Sequence, residues 1–258
     1  MKLTDTLIDF LSSHPGGSSI ILRQGGQDAS EVYDSVHPPG LIEKTLPVSA
    51  RLGAVDISTL PKGKSETPKP TTQKPNPNQM INLNDFEIAA EKLASESTWA
   101  YWASAADDEI SKRQNEKDFR KVTLRPRILR DVAEIDTSTT ILGKRTSMPV
   151  FVAPTGINKL AHPRGECEIT IAAGKDGIVQ VVSTGASMSI ESICKARVNK
   201  EQSICFQLYV NKDISKSIDL IRKAEKAGVT SIWLTVDSPV LGNREMDDRI
   251  KAKENVGS

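Results

Sequence analysis

The second half of this chain alternates between short apolar runs and helix-like stretches, and this alternation limits its possible folds more than any other feature. The apolar runs have the composition of buried strands and cover residues 149–153, 178–182, 204–208 and 232–236. The stretches between them are predicted to be helices and cover residues 165–174, 189–197 and 213–227. Strand–helix alternation predicts an α/β fold with a parallel sheet covered by helices. Four such units fit either an open doubly wound sheet or half of an eight-fold barrel.

Small and polar residues lie at the carboxyl ends of the predicted strands. They are Ala153, Pro154, Thr155, Gly156, Ser183, Gln207, Tyr209, Thr235 and Asp237. Both parallel architectures bind their ligands at that end of the sheet. The polar groups of Ser183, Gln207 and Thr235 can pair with the edge of a heterocycle, Asp237 can orient a base or hold a cation, and Arg244 can bind a carboxylate. The competing interpretation is that these residues only begin loops and that Arg244 is a solvated surface residue.

The overall composition and the missing motifs exclude several classes of function. A net charge of +1 gives the chain no general attraction to nucleic acid or to an anionic membrane. No window approaches the roughly 18 apolar residues of a membrane span, and the first 17 residues have the pattern of neither a secretory signal nor a transit peptide. The three cysteines have no CxxC spacing, which argues against a disulfide framework or a zinc site. Neither GxGxxG nor a Walker motif is present, so a Rossmann or Walker phosphate cradle has no support.

A proline-rich and lysine-rich stretch at residues 61–79 divides the chain. It has no large apolar residue and cannot bury enough surface to fold, so we interpret it as a linker. The predicted domains are therefore residues 1–60 and residues 80–258. Within the second domain, residues 84–120 are expected to be helical, with Asn84 as a helix cap.

Two of the three histidines lie in the short first domain, and each stands beside a proline turn. His14 opens the sequence HPGG and His37 opens HPPG. Two imidazoles that face each other across an apolar pocket can bind a haem iron axially, although a single histidine beside proline is more commonly a turn residue. His162 lies in AHPRGE and is interpreted as a loop or helix-start residue.

Residues 10–46 resemble the haem-binding half of a cytochrome b5-type domain. The resemblance is carried by FLSSHPGG, then by GGQDAS at residues 25–30, and then by a second histidine at about the family's spacing. It implies that His14 and His37 are the axial ligands of a b-type haem.

Residues 80–245 resemble the FMN-dependent α-hydroxy-acid dehydrogenase and oxidase family, whose fold is a (β/α)8 barrel. The resemblance is carried by TWAYWASAADDE, FRKVTLRPRILRDV, SMPVFVAPTGINKLAHPRGE, FQLYVNKD and LTVDSPVLGNRE. The expected fold is therefore a partial (β/α)8 barrel of about four β/α units, preceded by a partial α+β cytochrome b5-like domain. This order of domains resembles that of the flavocytochrome-type L-lactate dehydrogenases.

The family resemblance implies a role for each matching residue. Residues 153–156, Ser183, Gln207 and Thr235 would contact FMN. The side chains of Tyr101 and Tyr209 would bind the substrate. Asp237 would orient the catalytic histidine, and Arg244 would line the active site.

The implied reaction is the oxidation of L-lactate to pyruvate with reduction of FMN, followed by single-electron transfer through haem b to cytochrome c. The resemblance further implies a homotetramer in the mitochondrial intermembrane space. L-lactate is the preferred substrate, and glycolate, mandelate or a longer 2-hydroxy acid stay open as alternatives, because the loops that select the substrate are incomplete.

Several departures from the family pattern shape these expectations. The segment 80–258 is shorter than a full barrel, which takes about 250 residues, and the chain looks truncated at both ends. The family's later histidine base and phosphate-binding segments have no counterpart in it, so we expect this chain to be inactive by itself. Smaller departures are Trp102 and Ala105, where relatives often carry tyrosine and glycine. Two alternatives stay open: an α-hydroxy-acid oxidase that uses oxygen, and a non-catalytic haem-binding remnant.

Overall fold

The computed structural model describes residues 10–11, 14, 18–24, 29–48 and 75–256, and the chain divides after Leu93 into two compact units. Most of the predicted linker, residues 61–74, lies outside the described residues, as do residues 15–17 and 25–28 of the b5-like motif. Within the described part of the chain, no helix has both the length and the apolar character that a membrane crossing requires.

The described part of the first unit is helical. Its helices are α1 (Ser18–Arg23), α2 (Ser30–Val36), α3 (Leu41–Thr45) and α4 (Leu83–Leu93), with a 3-10 turn at Pro77–Gln79 before α4. The cap of α4 is Asn82, whose side-chain oxygen accepts from the Asp85 amide at 3.0 Å. The prediction that Asn84 caps this helix is therefore wrong by two residues, because Asn84 already lies in the first turn.

The second unit contains the parallel sheet. Its helices are α5 (Glu96–Ala103), α6 (Ile110–Phe119), α7 (Glu166–Asp176), α8 (Ile190–Lys195), α9 (Ile214–Lys226) and α10 (Glu245–Val256). Its strands are β1 (Thr139–Ile141), β2 (Lys144–Thr146), β3 (Phe151–Val152), β4 (Val179–Val182), β5 (Ile204–Leu208) and β6 (Ser231–Leu234). Strands β1 and β2 form an antiparallel hairpin, and β3 to β6 form a parallel sheet in chain order. The predicted α/β fold with four β/α units is confirmed.

The sheet forms where the sequence places its continuous apolar runs. Every residue of β4 and β5 is buried, as expected for strands covered on both faces. The main core packs β4 and β5 against α7, α8 and α9, with Ile193 and Ile204 fully buried. The predicted run at 149–153 yields only the two residues of β3, which lies between Pro149 and Pro154. Proline has no backbone N–H for the ladder, so it limits a strand at both ends.

The two outer strands of the described sheet each have one paired neighbour. Strand β3 pairs with β4, and β6 pairs with β5. Leu234 of β6 is 60% exposed and Ile232 is 37% exposed. Their side chains lie on one face of β6, and an outer strand with exposed apolar residues is of the kind that proteins usually pair or cover.

Candidate functional site

The parallel sheet brings the predicted polar residues to one edge, and Gln207 at the end of β5 connects them. Its side-chain carbonyl accepts from the Thr184 amide at 2.9 Å, and its side-chain nitrogen donates to the Thr235 hydroxyl at 2.9 Å. Gln207 itself is buried. The tips of β4, β5 and β6 are therefore linked into a continuous row of hydrogen bonds.

Thr184 is a second connector, which sequence reasoning did not single out. Its hydroxyl donates to the Gln207 backbone carbonyl at 2.6 Å and accepts from the Tyr209 amide at 3.1 Å. A threonine after a strand is a common loop residue, so only the pairing of β4 with β5 reveals this role.

Tyr209 and Asp237 follow β5 and β6, and their side chains meet in space. The Tyr209 hydroxyl donates to the Asp237 carboxylate at 3.1 Å. Partial burial, then this hydrogen bond and the negative charge of Asp237, raises the pKa of Tyr209. The phenol therefore keeps its proton at neutral pH and can serve as a hydrogen-bond donor.

Tyr101 of α5 lies beside the loop that follows β3. A β-carbon placed on Gly156 would lie 3.6 Å from the Tyr101 hydroxyl and 3.2 Å from the Gly185 carbonyl oxygen. A side chain at residue 156 would press against the Gly185 carbonyl, so glycine favours the close approach of the backbones after β3 and β4. The Tyr101 hydroxyl reaches the edge of the sheet where the other predicted site residues stand.

Arg244 contacts residues at the carboxyl end of α5. Its guanidinium carbon lies 4.9 Å from the centre of the Tyr101 ring. The group also donates to the Tyr101 carbonyl and, at 3.0 Å, to the Ser104 hydroxyl. Arg244 therefore packs on the Tyr101 ring and binds the carboxyl end of α5, which holds Tyr101 in place.

The hydroxyl groups at the strand tips have the chemistry that the edge of a flavin ring requires. Ser183 accepts from the Gly185 amide at 3.1 Å and Thr235 accepts from Gln207, so each hydroxyl can still donate its own proton. Such hydroxyl donors suit the carbonyl oxygens and ring nitrogens of a flavin. The residues present therefore fit FMN by the chemistry of their donor groups.

The two predicted haem ligands lie close together in the first unit. The ring centres of His14 and His37 are 6.0 Å apart, with the ring planes at 57°. Two imidazoles on opposite faces of one iron have ring centres about 6 Å apart, because each metal–nitrogen bond is about 2 Å long. The observed distance is compatible with a single iron between them.

Tyr33 fixes the orientation of His37. The two rings stack with centres 4.3 Å apart and planes at 14°. The Nδ1 atom of His37 also lies 3.1 Å from the Tyr33 carbonyl oxygen. A proton on Nδ1 is donated to that carbonyl, which makes Nε2 the nitrogen that can bind a metal. These residues fit a haem iron.

Glu166, like Thr184, is a residue of the site region that sequence reasoning did not single out. Its carboxylate is buried at the start of α7 and accepts from the loops after both β3 and β4. The sequence signal, a glutamate in a first helical turn, is common and usually describes an exposed residue.

Comparison with known proteins places these observations in two families. Residues 90–257 match the model of the FMN-dependent dehydrogenase family. Residues 7–56 match the model of the cytochrome b5-like haem/steroid-binding domain.

Individual relatives extend this result. The chain is 39% identical over 251 residues to an L-lactate dehydrogenase (cytochrome) from Wickerhamomyces anomalus, in a match that covers 95% of this chain and 44% of that protein. It is 40% identical over 169 residues to a glycolate oxidase from Spinacia oleracea, covering 66% of this chain and 45% of the relative. The recombinant flavin-binding domain of baker's yeast flavocytochrome b2 aligns with a TM-score of 0.66 and 37% identity, over 69% of this chain and 46% of that one. The chain thus spans less than half the length of these relatives.

Proposed function

Because the chain belongs to the FMN-dependent dehydrogenase family, with a cytochrome b5-like domain ahead of that segment, we propose that it is part of a flavin- and haem-dependent oxidoreductase that converts L-lactate to pyruvate. FMN and haem b are the cofactors that the two family matches indicate. We further propose a division into residues 1–60 for haem, 61–79 as linker, and 80–258 for FMN. The observation that carries the proposal is the row of hydrogen bonds that Gln207 makes across three strand tips.

The strand tips would hold the flavin ring. Ser183 and Thr235 would donate their hydroxyl protons to the ring edge, and the backbone of residues 153–156 would lie against its face. Gln207 would keep Thr235 in register through the 2.9 Å bond. FMN, when bound, supplies an acceptor for the two electrons that leave the α-carbon of the substrate.

The substrate would lie between Tyr101 and Tyr209. The Tyr101 hydroxyl would donate to the substrate carboxylate, with Arg244 stacked on its ring as support. The Tyr209 hydroxyl, held by Asp237 at 3.1 Å, would stand near the substrate hydroxyl. Asp237 would also orient and stabilise a charged histidine base, as the family resemblance implies.

The first domain would pass electrons onward one at a time. His14 and His37 would bind the haem iron, with His37 held by the stacked Tyr33 ring. We propose cytochrome c as the final acceptor, a homotetrameric enzyme, and the mitochondrial intermembrane space as its location.

Reconstitution tests this proposal. The 258-residue chain is expressed, supplied with haem and FMN, and examined by visible absorption and flavin fluorescence. We expect a six-coordinate bis-histidine haem spectrum and quenching of FMN fluorescence. We expect no turnover of L-lactate from this chain alone, since two of its three histidines are assigned to haem and His162 is exposed in the turn before α7. Turnover above background would show that a different group acts as the base.

A second candidate function is the oxidation of a 2-hydroxy acid with oxygen as acceptor, which the similarity to glycolate oxidase favours. It requires no haem, so a bis-histidine spectrum argues against it. Failure to bind haem together with retained FMN binding would favour the oxidase. Haem binding without any flavin binding would instead indicate a non-catalytic haem-binding remnant.

A further inference from the structure

We propose that Glu166 is a positioning residue that holds the two loops carrying the flavin contacts at a fixed spacing before any flavin binds. This inference rests on the proposed FMN site, because the loops in question are those after β3 and β4. Glu166 itself would touch neither flavin nor substrate.

Glu166 is 2% exposed, and its carboxylate accepts hydrogen bonds from three residues of these two loops. From the loop after β3, the Asn158 amide and side-chain nitrogen both donate to it at 3.1 Å. From the loop after β4, the Ser187 amide donates at 2.9 Å and the Met188 amide at 3.0 Å. The Ser187 hydroxyl adds a further bond at 2.9 Å.

Asn158 carries this arrangement to the flavin contacts. The same side-chain nitrogen that donates to Glu166 also donates to the Thr155 carbonyl at 2.8 Å. The neighbouring Ile157 amide donates to the Gly185 carbonyl at 3.0 Å. Hydrogen bonds therefore connect the buried carboxylate through Asn158 to the Thr155 carbonyl, and the adjoining residue Ile157 bonds directly to Gly185 beside the proposed flavin site.

A carboxylate suits these donors because both of its oxygens only accept. It offers about four lone-pair sites to five donors, which are three backbone amides, an amide side chain and a hydroxyl, so two donors share a site. A glutamine has the same shape, but its NH2 group would face N–H donors and leave some of them unpaired. Unpaired buried donors are unfavourable, so the two loops would move apart.

The test compares Glu166→Gln with Glu168→Gln in the full chain. Glu168 lies on the same helix, is partly exposed, and pairs with Arg164 at 2.8 Å, so it controls for the loss of one charge from α7. Hydrogen exchange is followed without flavin, and FMN affinity is measured by fluorescence quenching. For Glu166→Gln we expect exchange at the amides of residues 158, 187 and 188 to rise by about tenfold or more and FMN affinity to fall by about tenfold. The amides of β4 and β5 should keep their protection, and Glu168→Gln should resemble the parent protein.

A milder variant keeps the inference testable if Glu166→Gln does not fold. Ser187→Ala removes the hydroxyl that donates to Glu166 and that accepts from the Lys159 amide, both at 2.9 Å, and it should produce a smaller change in the same direction at the amides of residues 158, 187 and 188. Parent-like exchange and FMN affinity in the folded variants would overturn the inference and leave the proposed function intact. Failure of the parent chain to bind FMN would instead overturn the proposed flavin site, and the inference with it.

Discussion

Replacing Gln207 by leucine tests whether the hydrogen bonds that link the tips of β4, β5 and β6 depend on the side-chain amide of this one buried residue. The substitution keeps the approximate size of the side chain but removes the acceptor of the Thr184 amide and the donor to Thr235. The Thr184 amide is partly buried, so leaving it without an acceptor costs about 1 kcal/mol or more, and a lost neutral hydrogen bond costs about 0.5–1.5 kcal/mol. We expect the free energy of unfolding to fall by about 2 kcal/mol or more, measured by urea denaturation.

Gln202 provides a matched control at the opposite end of β5. It is also buried; its carbonyl accepts from the Val198 amide at 2.9 Å, and its nitrogen donates to the Thr170 carbonyl at 2.7 Å. Gln202→Leu therefore loses the same kinds of bonds and should destabilise the protein by a similar amount. Only Gln207→Leu should also weaken FMN binding, by about tenfold, because only Gln207 lies at the strand tips.

The comparison separates a binding role from general stability. If both variants weaken FMN binding equally, the effect comes from lost stability and the assignment of Gln207 to the flavin site is wrong. If Gln207→Leu unfolds at the same urea concentration as the parent protein, the hydrogen bonds of Gln207 to Thr184 and Thr235 do not stabilise the strand tips.

Two further substitutions test the substrate side and the haem side. Asp237→Asn removes the negative charge beside Tyr209 and should lower the pKa of Tyr209. That pKa should still stay above its ordinary value, because burial is the largest cause of the shift. Alkaline absorbance titration against a Tyr209→Phe reference measures the pKa. Because the folded-state pKa is raised, the stabilisation linked to this proton is present below the ordinary tyrosine pKa and is lost as pH rises through the raised value. His37→Ala should abolish the bis-histidine haem spectrum, whereas His162→Ala, at an exposed position, should leave it unchanged. A six-coordinate spectrum that survives His37→Ala would show that another residue binds the iron.

The sheet and its polar edge could be predicted because the information is local. An apolar run such as 204–208 specifies a buried strand by its composition alone. In a parallel sheet the strand ends must then lie at one edge, so Gln207 and Thr235 become neighbours without any knowledge of side-chain geometry. The limits of the elements were less certain, as the two-residue β3 shows, because flanking prolines override the propensity of the run.

The partners of the charged residues could not be predicted, because they depend on contacts between distant segments. Arg244 finds its acceptors at Ser104 and Tyr101, which lie 140 and 143 positions earlier in the chain. The Glu166 carboxylate accepts hydrogen bonds from the backbone amides of residues 158, 187 and 188, which meet only after the sheet has formed. A local pattern describes both residues as ordinary surface charges.

The two kinds of information have different consequences for ligand binding. Locally specified strand ends supply the polar groups, but the long-range bonds of Gln207 and Glu166 determine how far apart those groups stand. Because these bonds lie within the protein, the spacing is set before a ligand arrives, and a flavin would not have to order the loops when it binds. Preorganisation of this kind improves affinity by reducing the entropy lost on binding. Substitutions that loosen the spacing should therefore weaken flavin binding even when every contacting hydroxyl is retained.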